Sequence, residues 1–120
     1  MSGDQSDQAR PTAVKQLKAL GLSTYAARTF VALVSLGEGT AQDVSEVVDV
    51  PRTRVYDAAD ELQNRGLVDV KQSSPNRYWA ISTETAGRHF EQEYDHRVTV
   101  LTDALDQLAS ANRSTEQQGV

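Results

Sequence analysis

The sequence has no cysteine, only three lysines and a single methionine, Met1, and each scarcity excludes something. Without cysteine there can be no disulfide framework, no zinc site built from thiolates and no thiol redox sensor. One methionine leaves almost nothing for sensing by sulfur oxidation. No apolar run is long enough to span a bilayer, and the polar first residues lack the apolar core of a signal peptide. We therefore expect a cytoplasmic protein that does not enter a membrane.

Positive charge is also scarce. Seventeen acidic side chains outnumber 12 basic ones, so the net charge is −5. Acids dominated by aspartate, few lysines and many small residues are typical of adaptation to high salt, where negative charge keeps a chain soluble. This balance predicts a halophilic protein with inorganic cations at its acidic surface. A mildly acidic protein from an ordinary environment remains the alternative.

Apolar side chains at helical spacing predict four helices in the first half of the chain, over residues 11–20, 23–37, 40–49 and 51–65. Ser23 and Thr40 fit N-cap positions, and Gly21, Gly37 and Gly66 fit the stops. A proline at position 51 suits the first turn of a helix, because its missing N–H would be unpaired there in any case.

After residue 66 the hydrophobic period changes from 3.6 to 2. Residues 67–71 and 77–81 are predicted strands, and the polar residues between them form a turn. A long final helix is expected over 82–111, and residues 1–10 and 112–120 are expected to be flexible tails. The predicted fold is mainly α with a small β-hairpin. It is a winged helix-turn-helix domain over residues 11–81, followed by a long C-terminal dimerisation helix.

Helix 51–65 would be the recognition helix, which this architecture places in the major groove of DNA. With Val55 at the centre of the buried face, the first turn presents two arginines, a hydroxyl and a phenol. Arginine can hold a guanine edge or a phosphate with two hydrogen bonds. The wing, residues 71–77, would follow the backbone or minor groove. The predicted DNA contacts are Thr40, Gln42, Arg52, Thr53, Arg54, Tyr56, Lys71, Ser73, Ser74, Asn76 and Arg77.

These residues also have a purely structural interpretation. Arg52 and Arg54 could be solvated charges paired with acids of the same helix, Tyr56 could cover the core, and a charged hairpin tip is often only a soluble turn.

Residues 50–80 hold five bases and four acids, against seven bases and 13 acids elsewhere, so this segment is the least acidic part of the chain. We expect cations to bridge its acids to DNA phosphates and to weaken the usual loss of affinity with salt. Those acids are Asp57, Asp60, Glu61 and Asp69.

Several motifs in this order resemble the DNA-binding domain of the TrmB-type archaeal transcriptional regulators. The resemblance covers about residues 15–109, and its motifs are LGLSxYxAR at 20–28, VPRTRVYD at 50–57, LxxxGLV at 62–68 and RY at 77–78. The PRxRVYD run is fairly specific, whereas the others occur in many winged helices. The resemblance implies operator binding through Arg52, Thr53, Arg54 and the wing. Typical members continue into a sugar-sensing domain that these 120 residues lack, so sugar binding is not carried over.

The last helix carries an apolar seam with 4-3-4-3 spacing, formed by Tyr94, Val98, Leu101, Leu105 and Leu108. We interpret it as the contact of a homodimer that reads a pseudo-palindromic operator in double-stranded DNA, although the seam could instead pack on its own domain.

His89, Glu93 and His96 share one side of this helix, but exposed residues of this kind are usually solvated, so no metal and no cofactor are expected.

The sequence therefore predicts a dimeric, sequence-specific transcriptional regulator. An enzyme is not expected, because there is no histidine or cysteine set for nucleophilic catalysis and Gly37-Glu38-Gly39 lacks the lysine of a phosphate loop. The alternative is a winged helix that mediates protein–protein contact inside a transcription complex.

Overall fold

The computed structural model describes the backbone of residues 2–118 and the side chains of residues 7–113. The chain forms two units, residues 1–86 and residues 87–120. Within the described residues, no helix carries an apolar stretch long enough to cross a bilayer. The elements are α1 (Ser2–Ala19), α2 (Thr24–Leu36), β1 (Glu38–Gly39), α3 (Ala41–Val47), α4 (Arg52–Asn64), β2 (Val68–Lys71), β3 (Arg77–Ala80) and α5 (Thr83–Gln118). This order confirms the winged helix-turn-helix fold with a long final helix.

The ends of α2 follow from its capping residues. Ser23 is the N-cap, and its Oγ accepts a hydrogen bond from the Ala26 N–H at 3.1 Å. Gly37 ends the helix with φ +84°, and its N–H donates to the Leu33 carbonyl at 2.8 Å. Glycine adopts this positive φ without the strain that a side chain would add. Both capping residues are confirmed.

The ends of α4 are set by Pro51 and Gly66. Pro51 occupies the N-cap position with φ −57°, one residue before the first helical position, and its carbonyl accepts the Arg54 N–H at 2.8 Å. At the other end, Gly66 has φ +74°. The Gly66 N–H donates to the Gln63 carbonyl and the Leu67 N–H to the Leu62 carbonyl, each at 2.9 Å. This pair of bonds is a Schellman motif, and it turns the chain directly into β2.

The core lies where α4 packs against α2 and α3. The inward stripe of α4, predicted from the helical period, is buried and consists of Val55, Ala58, Ala59 and Leu62. Two alanines in that stripe let the helices approach closely, because they add almost no side-chain width. The largest fully buried side chains are Leu33, Leu62, Leu67, Val44, Val55 and Thr29.

The hairpin belongs to a sheet with one more strand than the sequence predicted. The strand order is β1-β3-β2, and both pairings are antiparallel. Gly39 lies opposite Tyr78, and Lys71 lies opposite Arg77. The two residues of β1 are too few to show an alternating pattern, so only the folded chain reveals the pairing.

Two helix ends differ from the prediction. α1 begins at Ser2 and continues through Pro11, and the Thr12 hydroxyl donates to the Gln8 carbonyl at 2.9 Å within it. α5 continues past residue 111 to Gln118. Helical backbone therefore occupies most of both predicted tails, and the rest of those tails, residues 1, 119 and 120, lies outside the described residues. Both extensions are polar and carry no apolar stripe, so hydrophobic periodicity could not show them.

Candidate nucleic-acid interface

The outer face of α4 presents the residues that the sequence assigned to DNA. Val55 is fully buried, whereas Arg52, Thr53 and Arg54 are exposed. Tyr56 keeps 41% of its surface exposed, so part of its side chain is accessible to a partner. The first turn of α4 therefore offers polar and cationic groups together with the positive end of the helix dipole.

Three elements of the first unit converge on one cleft of about 270 Å³. The start of α3, the first turns of α4 and the tip of the wing each supply part of its lining. The lining residues are Thr40, Ala41, Gln42, Arg52, Tyr56, Pro75 and Asn76. The structure thus brings together five of the predicted contacts, which lie up to 36 positions apart in the sequence. Ala41 and Pro75 were not predicted, because neither carries a polar side chain that would have drawn attention.

The remaining predicted contacts lie on the same elements but do not line the cleft. Thr53 and Arg54 are exposed on α4, and Lys71 and Arg77 are exposed at the base of the hairpin. Ser73 and Ser74 are exposed at the tip. None of these six is buried in the core, so all are accessible to a partner.

Side-chain hydrogen bonds hold the tip of the wing in shape. The Ser73 N–H donates to Asn76 Oδ1 at 3.0 Å, and Ser73 Oγ donates to the Pro75 carbonyl at 2.7 Å. These bonds occupy the Ser73 hydroxyl proton and one oxygen of Asn76. Asn76 also lines the cleft.

A reciprocal cap fixes the start of α3. Thr40 Oγ1 accepts from the Asp43 N–H at 3.1 Å, and Asp43 Oδ2 accepts from the Thr40 N–H at 3.0 Å, which is a capping box. The Thr40 N–H, then the Thr40 hydroxyl, and more weakly the charge of Arg77, favour the ionised carboxylate. They hold the pKa of Asp43 below its ordinary value of 3.8, although desolvation opposes them. Nearby, Gln42 Nε2 donates to Glu46 Oε1 at 3.0 Å.

Two of the predicted basic contacts pair with acids. Arg77 Nη2 lies 2.9 Å from Glu38 Oε1, and Arg54 Nη1 lies 3.8 Å from Asp57 Oδ2. Arg52, by contrast, makes no ion pair within the described part of the chain. Both pairs are exposed, so a phosphate can displace either acid at modest cost. Glu38 was not predicted, and its only sequence signal was an acid beside two glycines.

The structure corrects the set of acids expected beside DNA. Asp57, Asp60 and Asp69 are exposed. Glu61 is different, because its carboxylate accepts the Ser23 N–H at 2.9 Å and the Ser23 hydroxyl at 2.8 Å. The expectation that Glu61 faces phosphates is therefore wrong. Its charge holds the start of α2 against α4.

A second candidate surface lies on α5 within the unit of residues 87–120. The predicted seam is exposed along its whole length: Tyr94 61%, Val98 44%, Leu101 56%, Leu105 53% and Leu108 68%. A run of large exposed apolar side chains on one helix face marks a contact surface. In the described residues, no group of histidine, aspartate or glutamate side chains is arranged to hold a metal ion.

Comparison with known proteins also points to DNA-binding regulators. A family model described as the sugar-specific transcriptional regulator TrmB matches residues 17–84. The sugar-sensing transcriptional regulator TrmBL1 of Pyrococcus furiosus is 26% identical over 95 residues, which are 79% of this chain and 28% of TrmBL1. The DNA-binding transcriptional repressor TrmBL2 of Thermococcus kodakarensis is 32% identical over 77 residues, which are 64% of this chain and 29% of that protein.

A solved structure is also similar. It is that of TrmBL2, described as an archaeal chromatin protein with a novel mode of DNA binding, and it aligns with a TM-score of 0.78 and 26% identity over 84% of this chain and 40% of its own. The chain thus spans under a third of the length of the two curated relatives. The residues matched by the family model contain α2 to α4 and the wing.

The cap at Asp43 generates a prediction about pH. Because the pKa of Asp43 is lowered on folding, its contribution to stability is present above pH 4 or so and is lost as the pH falls through the lowered value. We expect Asp43→Asn to lower the melting temperature at pH 7, and we expect this difference from wild type to shrink as the pH falls below about 4. Asp106→Asn, which removes an acid from the exposed part of α5, is the control. A constant difference between wild type and Asp43→Asn across this range would contradict the prediction.

Proposed function

The chain belongs to the TrmB family of transcriptional regulators, and we propose that it acts as a dimeric regulator that recognises a specific operator in double-stranded DNA. The family and the relatives are transcription regulators, not enzymes. The observation that carries the proposal is the cleft in which α3, α4 and the wing meet. A winged helix reads base edges with the recognition helix and grips the backbone with the helix before it and the wing, and this cleft joins those three parts.

In this proposal the residues divide by role. Arg52, Thr53 and Arg54 enter the major groove with the first turn of α4, where a bidentate arginine contact discriminates between bases by about 1–3 kcal/mol. Tyr56 and the Thr40 end of α3 contact the backbone. The wing contacts the backbone or minor groove through Lys71, Ser73, Ser74, Asn76 and Arg77. For Arg77 to reach a phosphate it leaves Glu38, and that exchange costs little because the pair is exposed.

The first test compares base readout with backbone contact. An operator is first selected from random duplexes by repeated binding and amplification. Arg54→Ala should then weaken operator binding by about 5- to 150-fold, equivalent to 1–3 kcal/mol, and random-duplex binding much less. Arg77→Ala should weaken both about equally, because a backbone contact carries no sequence information. Fluorescence anisotropy with both duplexes measures these effects.

The control for this test is the double variant Arg10→Ala and Arg113→Ala, which removes two arginines that lie outside the cleft. It should bind like wild type. If neither duplex binds the wild-type protein, or if Arg52→Ala with Arg54→Ala binds the operator normally, the DNA-binding proposal is wrong. The protein-contact alternative would then gain support.

The second test concerns the dimer. In the proposed dimer the α5 seam packs against a second copy, and the two-fold axis matches a pseudo-palindromic operator. Leu101→Asp places a charge in that seam, and burying it unpaired is costly. We expect light scattering to show a folded monomer for Leu101→Asp and a dimer for wild type.

Val100→Asp is the matched control for the dimer. Val100 is exposed to 54%, and it lies one residue from Leu101 but about 120° away from the seam around the helix. It should remain dimeric. A monomeric wild type at micromolar concentration, or equal dissociation in both variants, would show that the seam is not the interface.

The third test concerns salt. Exposed Asp57, Asp60 and Asp69 lie among the bases of α4 and the hairpin, and cations retained between them and DNA phosphates would offset the counterions that DNA releases. We expect operator affinity to depend weakly on potassium chloride up to about molar concentration, or even to rise. Asp60→Asn should restore a steeper loss.

Asp60 is the better site for this test, because neutralising Asp57 would also free Arg54. Asp106→Asn on α5 is the matched control and should leave the salt dependence unchanged. A steep and equal loss of affinity in wild type and Asp60→Asn would show that the acids do not take part in DNA binding.

A further inference from the structure

A second group of cations lies outside the cleft, between α1 and α2. Lys15, Lys18 and Arg28, with Pro11 and Val14, line a separate depression of about 380 Å³. We call the three cations the α1–α2 basic patch. It holds two of the three lysines in the chain, and no acidic side chain among the described residues lines the depression.

Among the described residues, no acidic side chain neutralises the cations of this patch. Lys15 and Lys18 are exposed, and none of the three makes an ion pair within the described residues, although the chain has 17 acids. Arg28 donates through Nη1 to a main-chain carbonyl, that of Asp49, at 3.1 Å, which leaves its charge in place. Three neighbouring positive charges repel one another, so a bound polyanion would relieve that repulsion.

The same hydrogen bond places the patch beside the recognition helix. Asp49 lies in the turn between α3 and α4, three residues before Arg52. Three residues of chain span at most roughly 11 Å, which is about the width of the major groove. Arg28 therefore lies near the turn that leads into α4, so a duplex held by the first turn of α4 would pass within reach of the patch.

We propose that the α1–α2 basic patch binds the phosphodiester backbone of DNA that flanks the operator core. The contact is electrostatic and independent of sequence, and it lengthens the footprint beyond the bases read by α4 and the wing. This inference rests on the proposed function. The inference adds a second DNA-binding surface to that function, made of residues outside α3, α4 and the wing.

The test uses the operator in two lengths, a core duplex of roughly 20 base pairs and one of roughly 40 with random flanks. Lys15→Gln with Lys18→Gln should weaken binding to the long duplex by roughly tenfold. Whatever the wild-type value, it should also shift the slope of log affinity against log salt by about 2 in the positive direction, since each lost phosphate contact removes about 0.9. Binding to the core duplex should be unchanged. Different flanking sequences should give the same result.

Arg10→Gln with Arg113→Gln is the matched control, because it removes the same charge. Arg10 lies outside the patch and lines a different cleft, an apolar one, together with Leu17 and Leu20. This variant should bind both lengths like wild type. Thermal unfolding checks that all variants are folded.

Two results would overturn the inference alone: an unchanged affinity of the lysine variant for the long duplex, or an equal loss on both lengths. Lysine-dependent binding of a polyglutamate peptide, with unchanged DNA affinity, would also overturn it and would assign the patch to an acidic protein segment. A wild-type protein that binds neither duplex would overturn the proposed function, and this inference with it.

Discussion

The burial of one stripe of α4 against α2 determines which side chains remain for function. Val55, Ala58, Ala59 and Leu62 form that stripe, and their exclusion from water stabilises the contact of the two helices. Once this stripe is buried, the helical period puts Thr53 on the opposite face and Arg52 and Arg54 on the two flanks, where all three are exposed. The caps at Pro51 and Gly66 then fix how long the exposed face is and where it stops.

Few positive charges lie on the exposed face of α4 and around the cleft. Among the exposed bases near the cleft, Arg54 and Arg77 are partly neutralised by Asp57 and Glu38, whereas Arg52 has no such partner in the described residues. In the proposed complex, an acidic protein with so few cations would depend on where each one lies. Arg52 would then be especially important, because it lies at the start of α4 and lines the cleft.

Local features were predictable from the sequence, and distant pairings were not. Ser23, Thr40 and Gly66 act on the backbone within a few residues, so their effects could be inferred directly. The Glu61–Ser23 and Arg77–Glu38 contacts join residues 38 and 39 positions apart, and no periodic pattern encodes them. The cleft was partly predictable. Its polar residues were predicted individually from the sequence, but only the folded chain shows that they lie close together.

The short strand β1 has a mechanical consequence. Glu38 and Gly39 pair with β3 immediately before Thr40 opens α3, so the helix-turn-helix and the wing are tied at their common edge. The spacing between them is preorganised, and little conformational entropy remains to be lost when both engage one duplex. Because the distance between the helix-turn-helix and the wing is fixed, the protein cannot adapt its shape to the DNA. In the proposed complex the DNA therefore has to deform. Sequences whose grooves widen, narrow or bend readily to that span would then be favoured, even at positions that no side chain touches.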